Sequence, residues 1–290
     1  MIVPAILPDE LIHGYLVRLS SINGLKISDF LLYVNDEVKA SKNNQIPSGF
    51  NDVISKIVRM PQAYLLKHHS LIHLLRHKHQ LKNPTKLGYI YFNTPSFFKE
   101  ENYFCRSCCQ EDVEYHGYSY WRVTHQLHGL EFCLKHRELL IQVRRDRYFR
   151  TMPNVIRSDD YISAVNVDAS ILKCSAALRF FELCEDFQTN EIYLNRNTLT
   201  PHLRMLAGEL SINTTKRNGS IHLSEYLAQT YPTVWLCKYF DYWRKRENHY
   251  SDSRTMRGFL TRHYSHLDIF NYLLVIAAID PNINLKDYAV

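Results

Sequence analysis

Residues 105–108 read Cys-Arg-Ser-Cys and residues 133–136 read Cys-Leu-Lys-His. Two ligands separated by two residues can bind one metal from a single tight turn, and two such turns complete a tetrahedral shell. Cys105, Cys108, Cys133 and His136 are therefore expected to hold Zn2+. A shell closed by four protein ligands leaves no position for a reactive water, which argues for a structural zinc site and against a zinc hydrolase. Cys109 competes with Cys108 for the role and reads as a bystander. Ligation requires thiolates and neutral imidazole, so binding should release protons and couple to local folding; such sites contribute roughly 10–16 kcal/mol at neutral pH. Loss of one ligand is expected to unfold residues 103–140. The opening residues do not read as a signal peptide, and Cys174, Cys184 and Cys237 stand alone in helical contexts. A disulfide framework is accordingly disfavoured and a reducing, cytoplasmic setting expected.

The elements that must position this cluster are mostly helical. The segment Asp9–Asn23 has Leu11, Ile12, Tyr15, Leu16, Leu19 and Ile22 at helical spacing, with Pro8-Asp9-Glu10 as a start and Gly24 as a stop. A short helix from Ser28 to Val34 follows, then a polar, loop-like stretch over 35–52. Pro61 opens a further helix, with Tyr64, Leu65, His68, Leu71, Ile72 and Leu75 forming its apolar stripe. Its other face carries Lys67, His69, His73, Arg76, His77, Lys78 and His79, a pattern that suits a solvated face or a polyanion contact. Tyr89, Tyr91 and Phe92 alternate with polar residues in an extended run into the first knuckle. Tyr118-Ser119-Tyr120-Trp121-Arg122 and Leu127 offer a small apolar platform between the knuckles, and Trp121, Leu127 and Leu130 are expected to pack beside the metal. Glu138–Val143 reads as a strand leaving the second knuckle.

Beyond it, 151–168 is polar and reads as a linker. A helix over 169–187 places Leu172, Ala176, Phe180 and Leu183 on one face, with Cys174 and Cys184 as core thiols. Pro201 is expected to start a helix bearing Leu203, Leu206 and Leu210, Asn218-Gly219 to turn, and Ser224 to cap a helix with Tyr226, Leu227 and Tyr231. Trp235–Trp243 and Met256–Tyr264 read as two more helices. Short helices around turns have the outline of a helix-turn-helix, shared by many all-α domains. The apolar run at 273–279 is too short to span a bilayer and reads as a buried helix.

The 290 residues carry a formal charge of +6 with fifteen histidines beside it, a balance that allows a polyanionic partner. Two basic blocks stand out. Arg144, Arg145, Arg147 and Arg150 flank aromatic residues, and either contact phosphates and bases or solubilise a loop. Lys238, Arg244, Lys245, Arg246, Arg254, Arg257 and Arg262 are interleaved with Tyr239, Phe240, Tyr242, Trp243 and Tyr250. Most of these rings are expected to pack inward and some of the cations to meet phosphate or acidic protein. Enzymatic activity is not expected: the chain has no H-E-x-x-H, P-loop or G-x-S-x-G pattern, and the acid pair Asp159-Asp160 reads as a charge partner of a helix start.

The run from CRSC through YSYWRVTHQLHGLEFC to LKH resembles the TniQ/TnsD family of transposon target-selection proteins. The opening VPAILPDELIHGYLVRLSSINGL resembles the family's amino-terminal helix. The run from Trp235 to His266-Leu267 resembles a helical segment of the TnsD branch. The resemblance implies a targeting adaptor that binds double-stranded target DNA, or a DNA-bound targeting complex, and recruits the AAA+ ATPase TnsC. Some shorter TniQ members associate instead with an RNA-guided CRISPR effector complex, and a stand-alone zinc-containing DNA-binding regulator is the competing reading. The chain is expected to lack the long carboxy-terminal extension of larger TnsD proteins. Its zinc ligands carry over to Cys105, Cys108, Cys133 and His136.

The expected fold is mostly α, with a small zinc-ribbon or zinc-finger module and helix-turn-helix-like helical domains. Its parts are expected at 1–100 (amino-terminal helices), 101–150 (zinc module) and 151–290 (carboxy-terminal helices). No membrane association is expected, and homodimerisation stays open.

Overall fold

Leu11, Ile12, Tyr15, Leu16 and Leu19 recur at helical spacing and are all buried. They lie in or just before helix α1 (Ile12–Ile22). The computed structural model describes residues 1–30, 32–33, 50–70, 102–143, 151–162, 169–189, 194–213, 221–240 and 269–289. These are mostly helical, with a few short strands, and fall into two compact units, one up to Ile162 and one from Ala169. Among them, no helix is long and apolar enough to cross a membrane.

In the first unit, α1 starts three residues later than its acidic pair suggests. Asp9 takes a left-handed backbone (φ 59°), and its carboxylate accepts from Thr124 N and Oγ1 at 3.0 and 2.5 Å. Glu10 is fully buried on Arg18. These acids are tertiary anchors, not helix-start charges. Gly24 (φ 65°) ends the helix as expected. Helices α2 (Phe50–Val58) and α3 (Gln62–His68) follow. Pro61 stands immediately before α3, where its missing N–H is no loss. Ile54 and Leu65 close over Ile12, Tyr15, Leu16, Leu19 and Phe30. Two residues of α3 and its end depart from the sequence reading. Tyr64 is exposed while Leu66 is buried, and His69 belongs to the interior, not the basic face. Residues 27–30 and 32–33 are helical; the rest of the expected Ser28–Val34 helix, and Leu71, Ile72, His73, Leu75, Arg76, His77, Lys78, His79, Tyr89, Tyr91 and Phe92, lie outside the described residues.

Strand β1 (Asn102–Phe104) leads into helix α4 (Arg106–His116). β1 pairs antiparallel with β2 (Ile141–Val143), Tyr103 opposite Gln142, and β2 with β3 (Tyr161–Ile162), Gln142 opposite Ile162. The polar stretch at 151–162 is therefore no linker. It forms two 3-10 turns and then the third strand. Asn154 accepts from Ser119 N and Oγ, and Thr151 O accepts from the Trp121 indole at 3.1 Å. Asp159 and Asp160 lie in the second of these turns.

The second unit centres on α5 (Ser175–Thr189) and α9 (Ile269–Ile279). Every residue of α9 but Asn271 is buried, as the apolar run predicts. Phe180 packs edge-on against Trp235, and Tyr231 donates to Leu274 O at 2.6 Å. Cys184 is fully buried, and Cys174 is half-buried, its thiol on Thr230 O. Helix α6 (Arg196–Glu209) carries Pro201 in its interior, and Asn195, not Pro201, begins it by accepting from Asn197 N. A two-residue parallel pair, β4 (Ile212–Asn213) and β5 (Ile221–His222), leads to α7 (Leu223–Thr230) and α8 (Thr233–Tyr239). His222 occupies the cap position of α7, and Ser224 is buried in its first turn. Asn218-Gly219 and the segment 241–268, with the expected Met256–Tyr264 helix, fall outside the described residues.

Candidate metal centre

Each half of the cluster is built by its local backbone. Cys105 is the N-cap of α4, with an extended backbone and its Sγ accepting from Cys108 N at 3.2 Å. This geometry brings Cys108, one turn on, to the same side. The second knuckle is the tip of a tight reversal. Phe132 bridges Leu139, Cys133 N donates to Glu138 O at 2.7 Å, and Arg137 N donates to Cys133 O at 2.8 Å. Arg137 accepts a left-handed backbone (φ 56°) to make the turn. His136 N points at Cys133 Sγ at 3.4 Å, as Cys108 N does at Cys105.

The four ligand atoms lie within 4.8 Å of one another. Cys108 Sγ is 3.7 Å from Cys133 Sγ. His136 Nδ1 is 3.2, 3.3 and 3.7 Å from the sulfurs of Cys105, Cys108 and Cys133. With zinc bonds of ~2.3 Å to sulfur and ~2.05 Å to nitrogen, a tetrahedron has edges of about 3.8 Å between sulfurs and about 3.5 Å from sulfur to nitrogen. The Cys108–Cys133 edge and the three edges from His136 are close to these values, and the cluster could hold a metal ion; its three sulfurs and one imidazole suit zinc. Cys109 is not part of it: the thiol is half-buried and interacts with Ser119.

Three sulfurs this close cannot all ionise without a cation. Hydrogen bonds from Cys105 and Cys108 pull the Cys133 thiol down. The hydrogen bond to Cys108, then that to Cys133 and burial, push Cys105 up. Cys108 stands at about 12, lowered by Cys105 but raised further by Cys133 and burial. Binding of a divalent cation to such a set requires thiolates, so it displaces protons.

Three groups around the cluster gave no signal in the sequence. Glu111 Oε1 lies 3.0 Å from His136 Nε2, and Lys135 and then His136 hold its carboxyl below the usual range. Glu138 accepts from Ser107 N and Oγ, both at 2.9 Å, and from Cys105 Sγ at 2.8 Å. Buried His125 has its Nε2 3.9 Å from Cys108 Sγ. Carboxylates and imidazoles this near a thiolate set mark a metal site's surroundings, but each reaches it through the fold, at no fixed spacing.

The TniQ family model matches residues 1–140. Residues 1–140 belong to the TniQ family. A comparison with curated proteins returned no match. A TniQ domain indicates a transposon-associated targeting protein. The match contains all four cluster residues and the amino-terminal segment, which bonds the chain between the two knuckles.

That segment joins the two halves of the TniQ domain. Leu11 N donates to Trp121 O at 2.7 Å, Val123 N to Asp9 O at 2.8 Å and Ile12 N to His69 O at 2.9 Å. His69 Nδ1 lies 2.8 Å from Glu10 O. Arg18 meets Glu10 bidentately at 2.8 and 2.6 Å, Ala5 O at 2.7 Å and Tyr118 OH at 3.1 Å. Trp121 packs so closely on α1 that a Cβ at Gly14 would lie 2.8 Å from Trp121 Cβ. Trp121, Leu127 and Leu130 are all buried. β2 and β3 lie just beyond the matched residues.

Of the residues expected to meet DNA, Lys238 is described. It is exposed at the end of α8, its ammonium 5.2 Å from the Tyr239 ring centroid. Arg144, Arg145, Arg147 and Arg150, and Arg244, Lys245, Arg246, Arg254, Arg257 and Arg262, lie outside the described residues.

Proposed function

We propose that this chain is a transposition target-selection adaptor, which binds target DNA or a DNA-bound targeting complex and recruits the AAA+ regulator TnsC. The observation that carries the reading is the TniQ match over residues 1–140, with the four-residue cluster inside it. In this reading Cys105, Cys108, Cys133 and His136 bind a structural zinc that stiffens a surface and performs no chemistry. Lys238 and the two arginine-rich blocks meet phosphate, which the +6 charge of the chain favours.

The deciding experiment is a pull-down with the cognate AAA+ ATPase, with and without ATP. ATP-dependent association is expected; none with a folded, metal-loaded protein overturns the reading. DNA binding is checked by titration across salt. Phosphate-led affinity falls steeply as salt rises, and neutralising Arg244, Lys245 and Arg246 together weakens it without unfolding the protein. An affinity flat across salt removes direct DNA contact.

A further inference from the structure

His136 is the one cluster ligand with two nitrogens to choose between. Its Nδ1 faces the sulfurs at 3.2 to 3.7 Å, and its Nε2 faces Glu111 Oε1 at 3.0 Å. A neutral imidazole has one N–H and one lone pair, and a carboxylate only accepts. The proton therefore belongs on Nε2, and the lone pair is left on Nδ1, toward the sulfurs. The other Glu111 oxygen, Oε2, is held by the Lys135 ammonium, so the carboxylate is fixed at both ends. Glu111 lies on α4, which begins at the first knuckle, whereas Lys135 and His136 belong to the second. Glu138, the other carboxylate at the cluster, bonds Ser107 and Cys105 and leaves the imidazole to Glu111.

We infer that Glu111 is a positioning residue of the metal centre: it selects Nδ1 of His136 as the ligating nitrogen and locks the two knuckles in the order the metal needs. This rests on the metal reading of the cluster. Partners of metal-bound histidines contribute about 10–100-fold to metal affinity. Glu111 is 45 % exposed, so water competes for both its bonds and the effect falls near the low end.

The test is zinc competition against a chromophoric chelator, using the full chain. Glu111→Ala should bind zinc about tenfold more weakly, Glu111→Gln, which keeps an accepting oxygen, should lose less, and Lys135→Ala least. Two-bond 1H–15N spectra of the zinc-loaded chain give a readout that a merely structural role would not move. The wild type should show His136 protonated on Nε2 with the metal on Nδ1, and that proton should exchange faster with water in Glu111→Ala. Ligation through Nε2, or zinc affinity and exchange unchanged in Glu111→Ala, overturns the inference and leaves the metal reading standing. A wild-type chain that takes up no stoichiometric zinc overturns both.

Discussion

At the scale of single residues, the cluster is where sequence and geometry agree most closely. Two-residue spacing is a local property: a cap at Cys105 and a reversal at Cys133–Arg137 place each pair without help from distant chain. Its supporting groups were not legible, because Glu111 reaches His136 across 25 positions and His125 reaches Cys108 across 17. Asp9 and Glu10 were legible as important but not in role. An acidic pair before an apolar run reads as a helix start, and sequence alone does not show that Thr124, 115 positions on, takes Asp9. Removing a ligand tests the site directly. If the cluster holds a structural zinc, Cys133→Ser should abolish stoichiometric zinc by elemental analysis and expose residues 103–140 to hydrogen exchange, because at such sites metal binding and local folding are one equilibrium. A variant that keeps protection without metal would show that the apolar platform folds unaided.

At the scale of elements, α1 and the segment before it carry the main constraint. Arg18 and Glu10 are both fully buried. Burial raises the Glu10 carboxyl against the pull of Arg18, whereas the bonds to Glu10 outweigh burial and hold the guanidinium charged. Removing one member of such a pair strands a buried charge, at about 3–5 kcal/mol, whereas replacing both can be neutral. Arg18→Met should therefore lower stability by about that amount in urea unfolding, and Glu10→Leu combined with Arg18→Met should recover most of it. Equal destabilisation by the single and double changes would mean that Ala5 and Tyr118, not Glu10, are the partners that matter. Helix existence was readable from period for α1, α3 and α5 to α9, but α2 and α4 were not anticipated. Boundaries and faces were not readable, because Pro201 tolerates the interior of α6 and Tyr64 faces out while Leu66 faces in, choices made by packing and not by spacing.

At the scale of the whole molecule, charge and histidine content suggest response to acid, and the burial of two histidines gives it a sign. Burial holds His13 down to about 4 and, as the largest effect, pulls His69 down as well. Their unfolded counterparts protonate near 6.5, so the unfolded chain binds more protons below that pH. For His13 this stability is full above pH 6.5 and is lost as pH falls toward 4, by about 1.4 kcal/mol per pH unit, and His69 acts in the same direction. Unfolding midpoints across this range should fall less steeply for His13→Gln than for the wild type; identical slopes would place the acid sensitivity elsewhere. The third strand has a practical corollary for anyone cutting the chain. A fragment stopped at Leu140, where the family match ends, would leave the rim of β1 bare, Ser119 without Asn154 and the Trp121 indole without Thr151. Bare strand rims invite sticking to other copies. A piece ending at Asn166 should elute as a single species on size exclusion where the shorter one precipitates, and equal behaviour of the two would mean that nature's own stopping point for this module comes before the sheet is finished.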